Sequence, residues 1–89
     1  MSEEQLKEIT EFAADYLSLE EIAEVMEVDK AEFKREFEEK RDLYKAIRKG
    51  RLLTKSTVQR ALITQAKNGS NPAQEKLLKL ISRIENNEI

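Results

Sequence analysis

Cysteine and histidine are both missing from this 89-residue chain, and each absence removes a class of chemistry. Without cysteine there is no disulfide and no thiolate metal site. Without histidine the commonest metal ligand and general base is gone. No apolar run approaches the roughly 20 residues needed to cross a bilayer. The opening Met1-Ser-Glu-Glu lacks the basic start and apolar middle of a signal peptide, so a cytoplasmic protein is expected. Only two glycines and one proline interrupt the sequence. With so few breakers, helical periodicity runs almost throughout, and the fold class expected is all-α.

A chain of this length makes one small domain that buries only about 60% of its unfolded surface. Hydrophobic residues make up 39% and charged residues 38%, enough apolar side chains for a modest core and too regularly spaced for a disordered chain. The net charge of −2 conceals a split. Residues 1–29 carry ten acids against one lysine, and residues 30–60 carry eleven cations against five acids. Between Lys40 and Arg60 eight cations face a single anion, Asp42. On a helix Lys45–Lys49 and Arg51–Lys55 are i,i+4 neighbours and Arg48–Arg51 are i,i+3 neighbours. Each such pair costs about 0.2–0.5 kcal/mol. A helix that crowds cations together has an anionic surface to meet, either its own acidic helices, a second copy, or a polyanion.

The spacing predicts five helices. Ser2 with Gln5 and Ser18 with Glu21 have capping-box spacing, and Asp29 with Glu32 gives a third start signal. The first helix turns Leu6, Ile9, Phe12, Ala13 and Tyr16 to one face. The second buries Leu19, Ile22, Ala23 and Met26, and the third presents Phe33 and Phe37. A long fourth helix begins near Asp42, with an apolar stripe of Leu43, Ile47, Gly50, Leu53 or Thr54, Val58, Ala61, Leu62 and Ala66. Gly50 inside it costs about 1 kcal/mol relative to alanine. It either admits a neighbouring backbone or breaks the helix in two. Asn68-Gly69 ends the fourth helix, and Asn71 as cap with Pro72 at the first position starts the fifth, which buries Ala73, Leu77, Leu80, Ile81 and Ile84. The expected organisation is a three-helix unit at 1–41 and an antiparallel helical hairpin at 42–89, together one compact domain, with a frayed tail from Asn86. Leu52, Ile63 and Leu78 are left outside the stripes, and Tyr16 and Tyr44 are expected at the core or its rim rather than as platforms on which bases stack.

The second and third helices, with about three residues between them and the small Ala23 at their crossing, have the layout of a helix-turn-helix. Ser18-Leu-Glu-Glu-Ile-Ala-Glu-Val-Met-Glu-Val-Asp29 resembles the signature of bacterial and phage helix-turn-helix domains. It departs from that signature at Glu27, where the turn glycine usually stands, so a left-handed residue there is strained. Tyr44-Lys-Ala-Ile-Arg-Lys-Gly50, followed by a long helix and Ala66-Lys-Asn-Gly-Ser-Asn-Pro-Ala73, extends the resemblance to phage terminase small subunits over about residues 16–84. That resemblance implies recognition of double-stranded viral DNA for packaging, a ring-like homo-oligomer, contact with the terminase large subunit, and the host-cell cytoplasm as location.

The residues expected at DNA are Lys30, Lys34 and Arg35 on the third helix, followed by Lys40, Arg41, Lys45, Arg48, Lys49, Arg51 and Lys55. The third helix interleaves its cations with Glu32, Glu36, Glu38 and Glu39, so the cations from Lys40 onward are the better phosphate contacts. A helix-turn-helix transcriptional regulator is the alternative. A helical adaptor that binds protein and touches no nucleic acid is a further one. No enzyme is expected: the carboxylates are spread along helix surfaces, with no serine dyad or glycine-rich phosphate loop. Glu20, Glu21 and Glu24 read as a solvated face, so no metal or other cofactor is expected.

Overall fold

The computed structural model describes residues 1–88. Five helices follow one another: α1 (Glu3–Ala14), α2 (Leu19–Val25), α3 (Lys30–Glu38), α4 (Asp42–Lys67) and α5 (Asn71–Glu88). The described residues contain no strand, and no helix is long and apolar enough to cross a membrane.

The helix starts follow from local side-chain chemistry. Ser2 Oγ accepts from the Gln5 amide at 3.2 Å while Gln5 Oε1 accepts from the Ser2 amide at 3.0 Å. Ser18 and Glu21 repeat the arrangement at 3.1 and 2.9 Å. Each box satisfies two amides that a helix start leaves without partners. Asp29 caps α3 from one side only, accepting from the Glu32 amide at 2.9 Å. The helix ends are less ordinary. Tyr16, Glu27 and Lys40 all take left-handed backbone angles, with φ of 59°, 57° and 56°. At Tyr16 and Glu27 the following amides reach back to Phe12 and Ala23, closing Schellman turns. The turn expected at Glu27 is therefore present, with glutamate in a conformation that glycine adopts more cheaply.

The chain divides into two units, Met1–Lys55 and the part from Ser56 onward. In the first, Ile9, Ala13, Ile22, Ala23, Phe33, Leu43, Ala46 and Ile47 form one buried core, with Leu6, Phe12, Leu17, Leu19, Met26 and Phe37 packed around it. Burying each large side chain of this set contributes about 1.5–3 kcal/mol. The sequence-based stripe included most of them and missed Ala46.

Gly50 resolves in favour of close approach, because α4 runs unbroken through it. A β-carbon there would collide with the Thr10 carbonyl oxygen and lie 2.8 Å from Ala13 Cβ and 2.9 Å from the Ala14 nitrogen. One turn later Thr54 Oγ1 donates to the Ala14 carbonyl, so Thr54 rather than Leu53 faces α1. Leu53 is 53% exposed.

The second unit is thinner. Ala66 and Ala73 are its buried residues, and Leu62, Leu77 and Leu80 are half-buried. The turn at Gly69 (φ 94°) ends α4 as expected, and Gln74 Nε2 donates back to the Ala66 carbonyl at 3.0 Å. Three expectations are corrected here. Ser70, not Asn71, caps α5: its carbonyl accepts from Gln74 and its hydroxyl from Ala73, so Pro72 sits at the second helical position. Val58, Ala61, Ile81 and Ile84, expected inside, are exposed. Two helices alone cover only a narrow strip of each other. The tail does not fray at Asn86, since α5 continues to Glu88; Ile89 lies outside the described residues.

Candidate nucleic-acid interface

The unbroken course of α4 places its cations at the spacing that makes them neighbours. Lys45, Arg48, Lys49 and Lys55 are exposed, and Arg51 is half-buried. They surround two adjoining grooves. One is lined by Tyr44, Lys45, Arg48, Lys49, Leu52 and Leu53. The other, a cleft of about 270 Å³, is lined by Tyr44, Ile47, Arg48, Arg51, Leu52 and Lys55 of α4 together with the rings of Tyr16 and Phe37. Tyr44, Arg48 and Leu52 belong to both, and neither lining includes a carboxylate.

The walls of the cleft are fixed from below. Phe37 and Tyr44 pack with ring centres 5.2 Å apart and planes tilted by 47°, an arrangement favoured by ring quadrupoles. Tyr16 leaves α1 in its left-handed conformation and donates its hydroxyl to the Arg51 carbonyl at 3.3 Å. The residue remains 56% exposed. Arg51 Nε is closed off from solvent and has no hydrogen-bond partner among the described residues.

Among the described residues no acidic side chain of α1 or α2 forms an ion pair with this face. The one ion pair among the described residues joins Arg41 to Glu39 at 3.7 Å, with the arginine side chain 81% exposed. A pair so open to water contributes little. At the start of α2, the Ser18 amide, and then its hydroxyl, hold the Glu21 carboxyl below its ordinary value of 4.5. That belongs to the α2 cap. No group of three or more acidic side chains among the described residues is placed to hold a metal ion, so Glu20, Glu21 and Glu24 do not converge.

The remaining expected contacts stand apart from the grooves. Lys30, Lys34 and Arg35 are exposed on α3 beside the equally exposed Glu32, Glu36 and Glu38, and Lys40 and Arg41 occupy the bend between α3 and α4. Charge counting located the cations. It gave no sign of the cleft, which depends on Tyr16 ending α1 without a glycine and on Phe37 meeting Tyr44. No protein-family model, curated protein or solved structure matches the chain.

Proposed function

We propose that this protein binds double-stranded DNA through the first half of α4, with Lys45, Arg48, Lys49, Arg51 and Lys55 contacting phosphates. One observation carries the reading: these five cations share a helical stretch whose grooves contain no acid and whose side chains form no ion pair among the described residues. Such a face gains free energy by releasing condensed counterions from a duplex. The protein's acidic helices lower its overall charge without occupying that face. Protein-wide charge is therefore a poor guide to its partner.

The packing of α2 on α3 across the short connection 26–29 supports a helix-turn-helix, in which α3 would enter the major groove. Its mixed charge makes it the weaker source of affinity. Together with the resemblance of residues 16–84 to phage terminase small subunits, this favours a role in recognising viral DNA for packaging over transcriptional regulation. Self-association fits the same reading, since Ile63, Leu78, Ile81 and Ile84 are 37–66% exposed in the second unit. The large terminase subunit would be a further partner.

Titrating a labelled duplex at two ionic strengths tests the core of the reading. With five phosphate contacts, log K should fall against log salt with a slope of about −4.5. Absence of binding at low ionic strength would replace this reading with the protein-binding adaptor.

A further inference from the structure

Phosphate contacts made by exposed lysines need no cavity, yet this face of α4 has one. At about 270 Å³ it falls just below the ~300–1,000 Å³ of ordinary small-molecule pockets. It suits one unit of a polymer better than a whole cofactor. Arg48, Arg51 and Lys55 bring three positive charges into its lining and no carboxylate answers them. A single side-chain carboxylate would leave most of that charge uncompensated. A phosphate accepts from two guanidinium groups at once and meets it more fully.

Two further observations narrow the ligand. The buried Arg51 Nε lacks an acceptor among the described residues, and a desolvated donor of this kind is costly; an anion that draws the guanidinium of this lining residue toward the cleft would relieve it. The lining also holds three aromatic rings, Tyr16, Phe37 and Tyr44, against which a flat ring can stack. Tyr16 takes a strained left-handed backbone (φ 59°) and ties its hydroxyl to the Arg51 carbonyl.

We infer that the cleft seats a single nucleotide whose base has left the stack, with its 5′-phosphate on Arg48, Arg51 and Lys55 and its base against the tyrosines. The inference rests on the DNA reading and specifies what part of DNA is held: an end, gap or frayed tip, where an unstacked nucleotide costs least.

The test follows the Arg51 Nε–Hε resonance by ¹H–¹⁵N NMR in the intact protein while thymidine 5′-monophosphate, thymidine or inorganic phosphate is added. The monophosphate should shift it saturably in the millimolar range. Inorganic phosphate should bind about tenfold more weakly, and thymidine should leave the resonance in place. Tyr44→Leu, checked for retained helicity, should weaken the monophosphate about tenfold. An unmoved resonance, or equal responses to monophosphate and inorganic phosphate, overturns the nucleotide seat. Blunt-duplex binding measured in parallel separates the two readings. Duplex binding without a monophosphate response removes the seat and leaves DNA binding intact. A monophosphate response without duplex binding removes both the DNA reading and the assignment to strand ends.

Discussion

Gly50 of α4 lies so close to the last turn of α1 that a methyl group on it would sit 2.8 Å from Ala13 Cβ and strike the Thr10 carbonyl oxygen. Alanine is ordinarily the better helix former by about 1 kcal/mol. Here the collision is with backbone and a buried side chain, which have little freedom to yield, and overpacking costs about 1–3 kcal/mol or more. Because the clash is with backbone, the upper end of that range applies, and Gly50→Ala should lower the urea midpoint of unfolding, with a net loss of about 2 kcal/mol after the propensity gain. A midpoint at or above that of the parent would show that α1 and α4 are not in this contact.

Glu27 gives a prediction of opposite sign. Its left-handed backbone at φ 57° carries a β-carbon penalty that glycine avoids, and its side chain is exposed. Glu27→Gly should stabilise the protein by about 0.5–1 kcal/mol, the penalty relieved less the extra entropy of an unfolded glycine. Gly69→Ala, at φ 94° with open space around it, should destabilise by a similar amount. Both are read from denaturant midpoints, and destabilisation by Glu27→Gly would rule out the turn described.

Hydrogen bonds from the Ser18 amide and then its hydroxyl lower the Glu21 pKa below 4.5. The folded state therefore favours the carboxylate, so this stabilisation is present above the unfolded value and is lost as pH falls through the folded one. Thermal unfolding should show the parent more stable than Glu21→Gln at neutral pH. The two should converge in acid below the folded pKa, where the carboxyl is neutral like the amide. A gap unchanged from neutral pH into acid would assign the difference to something other than charge.

How far these features could be read in advance depended on how local their causes are. The caps at Ser2, Ser18 and Asp29 need only residues three apart, so composition and spacing announced them. Gly50 was visible as an anomaly, but an absent side chain serves a helix break and a close approach equally well. Only α1 arriving against it decides between them. Periodicity grouped Ile81 and Ile84 with the inner face of α5, yet both are exposed, because spacing does not tell whether anything covers a face. Nothing around Asp15-Tyr16-Leu17 signals a left-handed residue, so the cleft that Tyr16 helps to wall was illegible while the cations beside it were plain.

Those cations permit a separation of the two helices that compete for the role of DNA contact. Lys45 and Lys49 are one turn apart on α4 in a groove without acids, whereas Lys34 and Arg35 on α3 stand among exposed glutamates. Like-signed carboxylates near a phosphate cancel part of what a cation gains, so equal charge reversals on the two helices should differ in effect. Lys45→Glu with Lys49→Glu should lower duplex affinity by about a hundredfold at low salt and flatten the salt slope by about two. Lys34→Glu with Arg35→Glu should change affinity only a few-fold and the slope by less than one. Fluorescence anisotropy with a labelled duplex at several salt concentrations gives both quantities. If the α3 pair abolishes binding while the α4 pair leaves the slope intact, the duplex lies on α3. The crowding of positive charge along α4 would then need a different anion, of which the acidic α1 and α2 of a second copy are the nearest at hand.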